Sequence, residues 1–195
     1  MMAESDATAK APRPLRADAK RNRDAILRAA REAFDNEGVL ASLDGIAVLA
    51  GVGNATLYRN FPTRDDLLSA VIETNIDAAV LEAKELSRNM APRRALVEWL
   101  IYLAWQLRIW HDLPYCIAIA HSDANSPVAD ACNPLVAATA ALLDAAKSSG
   151  DVAESITATE VFELVTTLSW GVDRFQDDIA AARRRVTMAT AGIFT

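Results

Sequence analysis

Residues 43–67, LDGIAVLAGVGNATLYRNFPTRDDL, decide the reading of this chain. Ser42 stands just ahead of the stretch as a good N-cap, and Asp44 suits the positive end of a first helical turn. Ile46, Ala47 and Ala50 then share the inward side of a short helix. Gly51 takes the position where a left-handed residue ends a helix, and Val52 can pack back onto it. Asn54 is the expected cap of a second short helix, with Leu57 and Phe61 four apart on its inner face. Pro62 ends that helix. Thr63 starts the next, with Asp65 and Asp66 in its first turn and Leu67, Leu68, Val71, Ile72 and Ala79 as its buried stripe.

Working outward, Ile26, Leu27, Ala30, Ala33 and Phe34 fall at i, i+1, i+4, i+7 and i+8, one face of a helix from Lys20 that stops near Gly38. Residues 1–19 show no apolar periodicity and read as a flexible basic arm. Beyond residue 90 the spacing predicts helices over 92–110, from Pro114, over 127–150, over 157–175 and over 177–192. A kink is expected at Pro134. Prolines lie near starts and glycines near ends, as capping asymmetry requires. No segment alternates in the manner of strands, so the expected fold is all-α. A three-helix unit with a helix-turn-helix (20–66) would precede a helical body (67–195), about nine helices in all.

Two short helices joined by a tight glycine turn are the helix-turn-helix arrangement, whose second helix lies in the DNA major groove. The same turn also joins plain αα-hairpins, so turn geometry alone leaves both open. The outward side chains add chemistry suited to DNA. Arg59 can contact guanine in bidentate fashion, Ala55 and Thr56 can touch a thymine methyl, and Asn60 can read adenine or hold a phosphate. Asn54 lies on the same side. Ser42 and Tyr58 offer hydroxyls to phosphate, and Arg64 adds a charge-assisted contact.

Charge distribution fits that reading. The net charge is −6 over 195 residues. Residues 1–64 carry 10 Lys and Arg against 8 Asp and Glu, and the remainder carry 10 against 18. Residues 10–31 hold eight basic and two acidic side chains. A basic head on an acidic body attracts phosphate locally. Arg13, Arg16, Lys20, Arg21 and Arg23 precede or open the first helix, where they could reach the DNA backbone or the minor groove; an unengaged solubilising tail has the same composition.

Residues 43–67 resemble the DNA-binding signature of the TetR (tetracycline-repressor-like) family of bacterial regulators. The resemblance is carried by Ile46, Ala47, Ala50-Gly51-Val52, Thr56-Leu57-Tyr58, Phe61-Pro62, Arg64 and Leu67. Ile26-Leu27, Ala29-Ala30, Phe34 and Gly38 match the family's first helix. Gly53 stands where the family often has serine, and Asn60 where histidine is common. The resemblance implies a homodimer joined through its last two helices, about 157–192. It also implies a double-stranded DNA operator and a small-molecule effector that releases it. The DNA-facing set would be Ser42, Ala55, Thr56, Tyr58, Arg59, Asn60 and Arg64. An activator, or a helical small-molecule-binding protein with an idle DNA head, remains open.

Three Trp and one Tyr fall within residues 99–110 of a helix apolar on nearly all sides. Such a helix is buried mid-bundle, and its aromatics bring polar tips that need partners. A ligand pocket is expected from Trp99, Tyr102, Trp105, Gln106, Trp110, Tyr115, Phe162, Thr166 and Trp170, suited to an apolar or aromatic molecule; ordinary core packing is the competing reading.

Other classes find little support. His111, Cys116, His121 and Cys132 lack metal-ligand spacing, so no metal or other cofactor is expected and both cysteines read as free thiols. Arg183–Arg185 reads as a solvated face, with ion pairs to a second subunit possible. There is no phosphate-cradling glycine loop, no nucleophile elbow and no catalytic carboxylate pair distinct from helix-start acids. Without a secretory or membrane-spanning run, the expected location is cytoplasmic.

Overall fold

The computed structural model describes residues 13–120, 123 and 125–195, with side chains from residue 17 onward. Residues 1–12 of the expected arm, the side chains of Arg13 and Arg16, and His121 lie outside the described residues. Among the described residues the chain is all-helical, with nine α-helices. They are α1 (Arg13–Glu37), α2 (Leu43–Leu49), α3 (Asn54–Asn60), α4 (Arg64–Asn89), α5 (Pro92–Leu107), α6 (Leu113–Ala120), α7 (Pro127–Ser148), α8 (Ala158–Arg174) and α9 (Ile179–Ala189), closed by a 3-10 turn at Ala191–Ile193.

Helix α1 begins at Arg13, not at Lys20. Residues 17–25 hold no buried side chain, and apolar periodicity reports burial, not helicity. Its second half is amphipathic: Ile26, Ala29, Ala30, Ala33 and Phe34 are buried where α1 packs on α2, α3 and α4. Each fully buried Ile or Phe there contributes about 1.5–3 kcal/mol.

Helix α4 is held at its start by a capping box in which Thr63 and Asp66 satisfy each other's backbone N–H. It runs from the head into the body, packing along α7 and α5. Helix α5 opens on Pro92 and lies centrally, against α4, α7, α8 and α9. Trp99 is wholly buried in it, and its indole N–H donates to Thr139 Oγ1 of α7 at 2.9 Å. Helix α7 continues past Pro134. It is long and apolar enough to resemble a membrane span, but it packs against α4, α5, α6 and α8. The C-terminus is pinned where Val152 and Phe194 form an antiparallel bridge.

Candidate nucleic-acid interface and ligand cleft

The short helices α2 and α3 are fixed from inside by Ile46, Ala47 and Leu57, all buried. Between them Gly51 adopts φ +67°, and Val52 N–H donates to the Ala47 carbonyl at 3.0 Å, closing the turn. Ser42 caps α2 by accepting from Gly45 N–H at 3.3 Å. The cap of α3 is Gly53, without a side-chain bond, and not Asn54. Asn54 instead donates to Asp44 Oδ1 at 2.8 Å, tying the start of α3 to the start of α2. The helix therefore begins one residue earlier than the sequence suggests.

With Leu57 turned inward, Asn54, Ala55, Tyr58 and Arg59 are exposed, while Thr56 and Asn60 are half-buried. Two of the polar side chains fold back on their own helix. Arg59 Nε donates to the Ala55 carbonyl at 3.1 Å, and Asn60 Nδ2 donates to the Thr56 carbonyl at 2.8 Å. Arg59 nonetheless remains exposed as a residue.

Arg64 has a different setting. It is half-buried, and its Nη1 donates to the carbonyls of Val39 and Ala41 at 2.9 and 2.7 Å. Its guanidinium thus fastens the α1–α2 loop to the first turn of α4. Of the expected basic arm, Lys20 is exposed and Arg21 pairs with Asp18 one turn back. Arg23 lies over the Phe61 ring, 4.5 Å from its centroid, linking α1 to the end of α3.

A cleft of about 310 Å³ opens between α1, α4, α5 and α7. Of the nine side chains expected to line a pocket, Tyr102, Gln106 and Trp110 line it. Trp99 is core. Trp105 carries the Arg108 guanidinium on its ring at 3.4 Å. Phe162 and Thr166 are buried on α8, whereas Tyr115 and Trp170 are half-exposed on the surface. The cleft residues that sequence reasoning missed include Arg31, Asp35, Ile76, Asn75, Leu103 and Leu107. Arg31 and Asp35 are one helical turn apart on α1, but nothing in the local sequence marks that face as lining a hollow. Burial, with the negative charge of Glu82, raises the Tyr102 phenol above its ordinary value. Gln106 hydrogen-bonds that phenol and opposes the shift.

One side of the cleft is also the joint between α1 and the body. Trp110 donates its indole N–H to Asp35 Oδ1 at 2.7 Å and sets its ring edge-on to Phe34. Beside it Val39 N–H donates to the His111 carbonyl at 3.1 Å. Gly38, at φ +83°, passes so close that a Cβ would lie 3.0 Å from His111 Cβ. His111 Nδ1 lies 2.9 Å from Asp173, and Arg174 donates to Asp112 at 2.6 Å. The chain of contacts therefore runs from the end of α1 through residues 110–112 to the end of α8.

Among the described residues no group of His, Cys, Asp and Glu is arranged to hold a metal. Cys116 and Cys132 are free, and burial pushes the Cys132 thiol up to about 12. Arg183 and Arg185 form ion pairs within the chain, with Glu98 and Asp177.

An exposed face on the second helix of a buried glycine-turn pair, set on a helical body with a cleft, is the arrangement of a helix-turn-helix DNA-binding regulator. Residues 26–71 match the model of bacterial regulatory proteins of the tetR family, and residues 91–194 that of the C-terminal domain of SbtR-like transcriptional regulators. The chain belongs to the TetR family of transcriptional regulators. A helix-turn-helix-type regulator of Staphylococcus aureus (strain MRSA252) is 33% identical over 105 residues, 53% of this chain and 57% of the relative. The chain thus matches little more than half the length of that curated relative. A TetR regulator from Streptomyces coelicolor is 31% identical, with a TM-score of 0.53 over 88% of this chain and 98% of that one. FadR from Bacillus subtilis, solved with stearoyl-CoA, has a TM-score of 0.63 over 87% of this chain and 98% of that one. At 17% identity that likeness is one of fold alone.

Proposed function

We propose that this regulator is a dimeric repressor whose operator is released by a small apolar or aromatic molecule. The observation that carries the DNA half is the exposure of Ala55, Tyr58 and Arg59 on α3 while Leu57 locks that helix to the core. In this reading residues 20–66 form the DNA-binding head and residues 67–195 the ligand-binding and dimerisation body. Arg59 reads a base, Ala55 and Thr56 make apolar contacts, and Ser42 and Tyr58 hold phosphates. Lys20 and any basic side chains before it add phosphate contacts.

The dimer half is supported by large apolar side chains left exposed along the last two helices. Trp170, Phe175, Ile179 and Met188 are exposed there, with Phe175 at 67% and Met188 at 76%. Covering some of them against a second copy across a two-fold axis would favour association. The dimer would read a near-palindromic operator with half-sites about 34–36 Å apart. The effector half is supported by the cleft, whose volume of about 310 Å³ suits a small molecule and is far too small for a fatty acyl-CoA. A soluble protein acting in the cytoplasm follows from this reading.

Selection of bound sequences from a random duplex pool tests it, with the winner titrated at two salt concentrations. Enrichment of an inverted repeat is the expected result. Weak binding without enrichment, erased by salt, overturns the reading. Arg59→Ala should relax preference at one base position by about 1–3 kcal/mol.

A further inference from the structure

The cleft combines an apolar floor with a polar rim. Ile76 of α4, Leu103 and Leu107 of α5, and Trp110 are buried beneath it, whereas the Asp35 and Asn75 rim is exposed. Arg31 and Asp35 stand one turn apart on the same face of α1, yet they are not paired with each other. Arg31 Nη2 donates to the Thr74 hydroxyl and, at 2.9 Å, to Asn75 Oδ1. Asp35 Oδ1 accepts from the Trp110 indole. A guanidinium and a carboxylate whose partners are neutral each keep hydrogen-bonding capacity to spare. The pair has no net charge, so a fully charged ligand head gains at one residue what it loses at the other. A head that accepts at one point and donates at another suits both.

We infer that the cleft binds a small amphipathic molecule with its apolar body on the Ile76–Leu103–Leu107–Trp110 floor. Its uncharged head, a primary amide or a group of like chemistry, lies between Arg31 and Asp35. This rests on the ligand-responsive reading above and adds the ligand class and the point of coupling. A volume of about 310 Å³ is at the small end for ligand sites and admits roughly ten to fifteen non-hydrogen atoms. Because Arg31 and Asp35 belong to α1, which packs on α2 and α3, an occupant bears directly on the helix that seats the reading head. Occupancy that moves α1 weakens operator binding, and bound operator weakens the ligand by the same factor.

The test is calorimetric titration of the full chain with three probes of one shape: 3-phenylpropanamide, 3-phenylpropanoate and 3-phenylpropylammonium. The amide binds tightest. Asp35→Asn keeps an acceptor for Trp110 and moves the preference toward the phenylpropanoate by about threefold to fivefold, the worth of one exposed charge contact. Arg31→Gln moves it toward the ammonium by a similar factor. A loss of packing alone would weaken all three probes equally. A charged probe binding tightest, an order unchanged in both variants, or no binding of any probe overturns the proposal. Titrating the same preparations against the selected duplex separates the two readings. Duplex bound with every probe failing removes the cleft inference and leaves the DNA reader. Probes ordered as expected with no duplex enriched removes the DNA reader and leaves the cleft.

Discussion

In the helix-turn-helix, polar side chains find partners within ten residues; where α1 and its loop meet α4 and the body, they find them far along the chain. Arg59 and Asn60 bond carbonyls one turn back, Ser42 accepts three residues ahead, and Asn54 reaches Asp44 across ten. At the joint the separations are 25 residues for Arg64 to Val39, 44 for Arg31 to Asn75 and 75 for Trp110 to Asp35. The first region satisfies its polar groups locally but is seated on α1 through its buried apolar side chains. The second ties α1 and its loop to the body. Under the proposed ligand-responsive reading, a shift at the second would carry α1 and the reading helix together.

The largest expected effect separates core from cleft along α5. Trp99 stacks on Tyr102, 5.7 Å between ring centroids, but faces Thr139 and not the hollow. Trp99→Ala should lower stability by about 3–5 kcal/mol through the cavity it leaves. The unfolding temperature should fall by about 6–20 °C. If the variant instead kept its unfolding temperature, Trp99 would belong to the cleft and not to the core.

Next come two glycines that share a backbone conformation but not a neighbourhood. Gly38 and Gly51 both have positive φ, yet a Cβ meets His111 at Gly38 and nothing within 4 Å at Gly51. Gly51→Ala should cost about 1–2 kcal/mol from left-handed strain alone. Gly38→Ala should cost about 2–4 kcal/mol, because crowding against His111 adds to the strain. Paired denaturant titrations measure the difference, which isolates the close approach at the joint. Equal costs would mean that residues 110–112 yield freely.

These two positions also show what the sequence could carry. Gly51 with its short helices was legible because every interaction that shapes the turn lies within about twenty residues. The close approach at Gly38 was not, since His111 is a distant residue brought there by folding. The cleft failed to be legible for the same reason. The α5 aromatics announce burial, but Trp99, Trp105 and Trp110 differ only in what α1, α4 and α7 bring against them. The early part of α1 escapes for the opposite reason: residues 17–25 are helical without burying a side chain.

Two arginines five positions apart should then behave differently. Arg59→Ala should leave the unfolding temperature unchanged while relaxing base preference by about 1–3 kcal/mol. Arg64→Ala should cost about 1–3 kcal/mol of stability, because it leaves the Val39 and Ala41 carbonyls without their charged donor. It should weaken all duplexes alike, since the loop it holds positions the whole head. Selective loss at one base position in Arg64→Ala would place that side chain on the DNA and weaken the division between reading face and joint.

The smallest effect lies at the far side of the body, where Arg183 of α9 holds Glu98 of α5 through two bonds of 2.8 and 2.7 Å. The Arg183 hydrogen bonds hold the Glu98 carboxyl below its ordinary value against the opposing effect of burial. Because the folded protein binds that proton less readily than the unfolded chain, the pair stabilises above the unfolded carboxyl range, near about pH 4.3. The contribution is lost as pH falls through the lowered folded value. Arg183 is half-exposed, so Glu98→Gln should cost only about 0.5–1 kcal/mol at neutral pH. Urea titrations of both proteins at pH 7 and at stepwise lower pH should show that gap close on acidification, provided the fold persists. A gap that stayed constant would mean that the substituted amide packs differently and that the ion pair contributes nothing of its own. A gap well above 1 kcal/mol would instead make α9 depend on this pair for its seat on α5.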